Sequence, residues 1–465
     1  MSGRSALTTT VSLAARMPGP LLPVGVMVAA AASTGSMFTT ATLTAAALVG
    51  LSISAPAAVA SAERFGVRNV LLSSAIAHVL MLVLMISSVA RLTQADTLTS
   101  DATIYTVLLV CTLLAGLSTP AVASFSRIDG SAPPAGPLAG ALLRREARLD
   151  DAALILGPLL LVLFSFSFGP TVGLLSSAVF TAIAVPIYAV DRAHRLEAPS
   201  DSARLPLGGA EHAQQQLLEH HGLPAEQPEK VISWARGISA AILLAAAVGL
   251  VLGGLWITAL DAAQSLQRSS WFAVTLGLMA AAGVLCARWN PSSFTAPLTL
   301  RRRRLNVVLL LASSLILLLL AVGLPQGLAA LLVLSVIVVL QSAVLGRLVL
   351  GLYAGLAVGV PAARVPTALT AVAGGVLLGA ALGLTLAGIA ADEIGAGAAA
   401  AVTVAGSALA VGVVFSDRLW GSPSSSAGSP STPGLRTGPS PMPRPDAEIE
   451  PGAPMDQPNT QGPAE

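Results

Sequence analysis

Apolar runs long enough to cross the hydrocarbon core of a bilayer recur along this chain from Leu22 to Phe415. A core about 30 Å thick takes roughly 20 residues of helix at a rise of about 1.5 Å each. Helix is predicted throughout, because a backbone in lipid finds no water for its N–H and C=O groups and must satisfy them internally. In the first half the runs cover residues 22–40, 43–60, 70–90, 104–125, 152–168 and 172–190. In the second half they cover 238–260, 271–287, 305–322, 328–358, 370–390 and 394–415. The expected fold class is an all-α integral membrane protein with twelve transmembrane helices.

Composition agrees. A soluble chain carries about a quarter charged residues; here 10% are charged and 54% hydrophobic, with a mean hydropathy of +0.79. The two cysteines, Cys111 and Cys286, both lie in apolar runs, so neither a disulfide framework nor a metal site is expected. No cofactor and no nucleic-acid partner is implied. Lys230 is the sole lysine, which together with abundant Ala, Gly and Pro points to a GC-rich bacterial genome.

The runs divide the chain. Residues 1–21 are expected to be a cytoplasmic N-terminal segment, 22–190 an N-terminal group of six helices and 237–416 a C-terminal group of six. Between them, residues 191–236 are rich in charge, Gln, His and Pro and read as a cytoplasmic linker, with a short surface helix over 211–221. From 417 to 465 the chain is dominated by Ser, Pro and Gly, which bury too little apolar area to fold, so a disordered cytoplasmic tail is expected. Arg16 followed by an apolar run also has the look of a cleaved signal peptide, but an even number of spans needs the first run, and it is expected to stay.

Arginine sets the orientation. With the N-terminus in the cytoplasm and sides alternating, all of the 25 basic residues except Arg91 and Arg268 fall inside. Basic residues in loops resist translocation, so both termini are expected to be cytoplasmic, in the cell membrane. The run Arg301 to Arg304 reads as a topogenic stop, with an anionic-lipid or regulator site as the alternative.

Charge at membrane depth costs about 2.5–3.5 kcal/mol at mid-span, so the few charged residues near the spans are the candidates for function. Asp261, close to the end of its run, can bind a cation or shuttle a proton, or can simply mark the helix end. Asp150 and Asp151 precede the longest apolar part of the fifth run; adjacent carboxylates suit proton coupling, and they equally suit an N-terminal cap with Arg144, Arg145 and Arg148 as counter-charges. Arg347 interrupts an apolar stretch and is either interfacial or, if the helix runs on to Tyr353, buried with a partner. His78 can titrate or can hold neighbouring helices together.

The turn after the second run reads Glu63-Arg64-Phe65-Gly66-Val67-Arg68. This resembles the Asp-Arg-x-Gly-x-Arg core of the signature loop of the major facilitator superfamily, with Val59 standing where a glycine is usual and Glu in place of Asp. The fifth run opens Glu146-Ala-Arg-Leu-Asp150-Asp151 and continues to Gly157-Pro158, similar to the fifth helix of actinobacterial members of that superfamily. Residues 116–120, ending in Pro120, and residues 255–261 and 364–379 are similar to the same group. The resemblance implies two six-helix bundles related by a pseudo-two-fold axis. It also implies a conformational role for Glu63, Arg64, Gly66 and Arg68; the rare charges near the spans make Glu146, Asp150, Asp151, Asp261 and Arg347 the coupling or substrate-binding candidates, with Pro120, Gly157 and Pro158 as candidate helix-gating positions.

The expected function is that of a secondary transporter, exporting a small amphipathic compound by alternating access, with protons as a candidate coupling ion. Two other classes compete. A membrane enzyme would need clustered acids, His or metal at one face, and the linker histidines His194, His212, His220 and His221 lack ligand spacing. A non-transporting scaffold or sensor would tolerate the altered signature loop. A nucleotide-driven pump is disfavoured, as the chain has no Gly-x-x-x-x-Gly-Lys-Ser/Thr loop.

Overall fold

A computed structural model describes residues 3–92, 98–131, 137–197, 228–264, 270–288, 299–323, 327–360, 365–395 and 397–416. The linker segment 198–227, with its expected helix over 211–221, and the tail from 417 lie outside the described residues. The unit Met1–Ser422 is compact. Its helices are α1 (Gly3–Ala14), α2 (Pro18–Thr34), α3 (Met37–Phe65), α4 (Val67–Leu92), α5 (Leu98–Leu117), α6 (Val122–Ser131) and α7 (Pro137–Phe168). They continue with α8 (Val172–Glu197), α9 (Pro228–Gln264), α10 (Ser270–Arg288), α11 (Leu300–Gly323), α12 (Leu328–Gly359), α13 (Val365–Glu393) and α14 (Ala398–Phe415).

Every apolar run falls on this set of helices. Of the twelve expected spans, ten fall on helical stretches among the described residues that are long and apolar enough to cross a membrane; that of α7 is not among them, and the apolar part of α10, Trp271–Leu285, is shorter. The exterior is greasy: Ile76, Ile183, Leu319 and Leu340 are all more than half exposed. Soluble proteins rarely leave such a surface open, and here it faces lipid. Pro23, Pro56, Pro158 and Pro186 sit inside helices, which a multi-helix membrane bundle tolerates because neighbours re-satisfy the freed carbonyls.

Several expected boundaries are corrected. The first run ends at Thr34 rather than residue 40: Gly35, at φ 66, stops α2, and the Ser36 side chain accepts from Thr39 N to start α3. Pro120 divides the fourth run, with α5 ending at Leu117 and α6 starting at Val122. The N-terminal segment contains α1, which packs on α7 and α8. Helix extends into both ends of the expected linker 191–236, because α8 runs on to Glu197 and α9 begins at Pro228. The fifth helix starts at Pro137, well before its apolar run, so Asp150 and Asp151 lie deep inside α7 and cannot be its N-terminal cap.

The packing of the first half recurs in the second. The first span of each half is the most enclosed, with 78% of the Leu7–Thr34 window and 67% of the Gly237–Gln264 window buried. The third span of each half is peripheral, at 33% for Val67–Arg91 and 28% for Leu300–Gly323. Second and fourth spans meet through paired glycines: a Cβ on Gly116 would stand 3.0 Å from Gly50 Cα, and one on Gly346 would stand 3.0 Å from Gly283 Cα. Helices α2 and α8, and likewise α9 and α14, also approach at glycine: a Cβ on Gly25 would stand 3.0 Å from the Gly173 backbone and one on Gly254 3.1 Å from Thr403 N. Small residues let helix backbones approach where no hydrophobic force drives association.

Candidate functional site

The two halves meet through α3 with α13 and α7 with α10. Helix α3 runs away from the end of the molecule that bears Thr34 and Ser36, here called distal, while α13 runs toward it; the proximal end bears Arg16 and Phe65. The contact series Ser52 with Gly374, Ala41 with Gly388 and Met37 with Asp392 therefore climbs an antiparallel pair toward the distal end. Gly277 of α10 meets Leu159 of α7, where an added Cβ would lie 2.8 Å from Leu159 Cδ2. Gln264 Nε2 at the end of α9 donates to Ala31 O at 3.5 Å.

Asp392 closes this junction. Its carboxylate accepts from Ser36 Oγ at 2.8 Å, from Met37 N at 3.0 Å and from Phe38 N at 3.0 Å, all in the other half. Asp261 lies half-buried one turn before the end of α9, within electrostatic range of Asp392. The structure thus gathers Asp261 at a distal cluster that the sequence-based reading did not contain. Asp392 was hidden because its partners are more than 350 residues away; the only local hint was an acid closing a helix.

At the proximal end the fifth-helix acids take a partner beyond the expected Arg144, Arg145 and Arg148. Arg16, 6% exposed in the turn between α1 and α2, forms ion pairs with Glu146 and with Asp150 Oδ1 at 2.8 Å. Its remaining donors reach Ser126 Oγ at 2.6 Å and Ser12 O at 2.8 Å. Arg145 bonds Thr9. Asp151 is half-buried beside this network. Gly157 and Pro158 are buried one to two turns further on, and a Cβ at Gly157 would be 3.2 Å from the Pro20 ring, so this Gly-Pro step brings α7 onto α2. Glu63, Arg64, Gly66 and Arg68 are all exposed at the turn from α3 to α4, with Gly66 at φ 79. Arg347 is exposed although α12 continues past Tyr353, so the longer helix leaves its guanidinium accessible and does not bury it.

Two buried polar nodes remain, at equivalent places in the halves. His78 of α4 is fully buried; its Nδ1 faces Ala115 O of α5 at 2.8 Å and its Nε2 faces Ser177 Oγ of α8 at 3.2 Å. A carbonyl can only accept, so Nδ1 carries a proton and Nε2 accepts from the serine in the neutral ring. Ser314 of α11 bonds Gln341 Nε2 of α12 at 2.9 Å and Ser407 Oγ of α14 at 2.7 Å. The first node joins α4, α5 and α8 and the second α11, α12 and α14, which makes His78 a helix tie. His78→Gln, which keeps a donor, is expected to unfold near the parent's midpoint in a thermal-shift measurement, and His78→Leu below it; equal midpoints for the two variants would contradict the tie.

No family model matches this sequence, and no curated protein matches it. Solved structures do. A POT family transporter, PepTSo, aligns with a TM-score of 0.60 at 14% identity over 89% of this chain and 97% of its own. A D-xylose-proton symporter gives a TM-score of 0.60 at 14% identity over 86% and 96%. The chain has the fold of these transporters. A bacterial homologue of the iron transporter ferroportin in its inward-facing state aligns with a TM-score of 0.60 at 13% identity, over 89% of this chain and 100% of that one. Outward-facing structures of such a homologue score 0.55 and 0.54.

Proposed function

We propose that this protein is a secondary transporter that moves a small solute by alternating access, rocking two six-helix halves about the α3–α13 and α7–α10 contacts. The observation that carries the reading is a pair of halves with matching packing that touch toward one end. Such an arrangement has a mirror state, closed at the other end, and a solute exchanged between the two crosses the membrane. The arginine distribution supports a cell-membrane protein with both termini in the cytoplasm, so the distal end is outside and the described conformation opens inward.

A small amphipathic compound, exported, is the substrate class that suits spans with few charges and many Ala, Gly, Ser, Thr and Leu residues. Asp261 is the candidate coupling carboxylate, held where a proton or cation from outside reaches it. The fifth-helix acids Glu146 and Asp150 are read instead as the counter-charges of Arg16, and Glu63 to Arg68 as a proximal loop poised to engage when the inner end closes.

Purified protein in liposomes, screened for counterflow of dyes and sugars with and without a proton gradient, tests the function. Saturable counterflow of an amphipathic compound is expected, with Asp261→Asn abolishing its response to the gradient. Counterflow that is saturable but identical in Asp261→Asn would remove that residue from the coupling role. A scaffold or sensor would carry no solute across at all.

A further inference from the structure

We propose that Asp392 is a gating residue of the transport cycle: one carboxylate at the end of α13 caps the N-terminus of α3 in the opposite half and holds the distal end shut. The inference rests on the transporter reading above, and goes beyond it by naming the group that sets which end is open. The first turn of any helix has N–H groups with no partner inside the helix. In α3 the demand is shared. Ser36 Oγ accepts from Thr39 N, at 3.1 Å, within its own helix. Met37 N and Phe38 N turn to Asp392, whose Oδ2 also receives the Ser36 hydroxyl proton.

A negative charge at a helix N-terminus is favourable and its hydrogen bonds are charge-assisted. A cap supplied from within one half would serve only folding, whereas this one comes from the other half and depends on how the halves sit. The approach is built in one turn earlier on the same face of α13: Gly388 lies against Ala41, and any Cβ there would come 2.9 Å from Met37 O. Asp392 and Ser36 keep some exposure, so when the distal end parts, water replaces each bond. The latch is therefore reversible, strong enough to bias the closed state and weak enough to release.

The test uses the full chain in nanodiscs, where both faces are reachable and orientation does not matter. Cys286 is replaced by alanine, Met37→Cys is introduced at a position only 6% exposed, and native Cys111, also 6% exposed and inside the first half, serves as the internal reference. A polar maleimide reports the ratio of labelling at residue 37 to that at Cys111. Asp392→Ala is expected to raise this ratio about tenfold, Asp392→Asn to raise it less, and Asp392→Glu to return it toward the parent value. A ratio that stays at the parent value in Asp392→Ala and Asp392→Asn overturns the proposal. Labelling reads the gate without any substrate. A gate that responds in a protein showing no flux would leave the latch standing and remove the transporter reading.

Discussion

Replacing Arg16 with alanine is expected to destabilise the folded chain by about 3 kcal/mol, at the low end of what breaking a buried ion pair costs. The side chain is 3% exposed and its carboxylate partners Glu146 and Asp150 are 15% and 20% exposed. Without the guanidinium, two carboxylates one helical turn apart lose the cation that Arg16 places against them and face the hydroxyls of Ser12 and Ser126. Thermal unfolding in detergent checks the single variant against Arg16→Met combined with Glu146→Gln and Asp150→Asn. The triple variant is expected to recover most of the loss, because it removes the uncompensated charge along with the cation. A single variant as stable as the parent would mean that the α2–α7 junction does not rely on this network.

The second large effect lies at the α9–α13 contact. Gly249 and Gly253 on one helix and Gly375, Gly379 and Gly383 on the other bring the two backbones together, and a Cβ at Gly379 would stand 2.8 Å from Ala246 Cα. The obstacle is backbone on a packed helix, which cannot swing aside as a side-chain tip does. Gly379→Val is expected to cost about 3 kcal/mol or more, the upper end for overpacking, and to lower the yield of monodisperse protein. Gly412→Val on α14, where nothing lies within 4 Å of the added atom, is the matched control and is expected to behave as the parent. Equal behaviour of the two variants in a thermal-shift measurement would contradict the close packing.

The helices themselves were legible because lipid imposes one length and one polarity on every span. Their ends were not, for reasons visible at particular residues. The charged stretch Arg144 to Asp151 is helical although it is not apolar, since its cost is met by Arg16 from another part of the chain. Thr34 ends α2 because Gly35 adopts a left-handed conformation, a choice that a hydropathy window cannot register. The repetition between halves was invisible as residue identity: a histidine in one node corresponds to a serine and a glutamine in the other, and only the spans they join are shared. Glycines spaced by four, as in Gly375, Gly379 and Gly383, were the available signal for the α9–α13 contact, though spacing alone does not say which helix they face.

The candidate site was less legible than the fold. Asp261, Asp150 and Glu146 drew notice as rare charges near apolar runs, and each has a definite place, one at the distal junction and two on Arg16. Arg347 drew the same notice and is exposed. Asp392 did not, because its significance comes from capping a helix in the other half of the molecule.

Spin-label distances at both ends of the α3–α13 pair test the account most directly. One pair, Phe38 with Glu393, reports the distal end, and the other, Phe65 with Thr367, reports the proximal end; all four residues are exposed. Alternating access predicts two populations at each end, with Asp392→Ala enriching the longer distal distance and the shorter proximal one together. Distances that stay single at both ends, or that lengthen together, would contradict it.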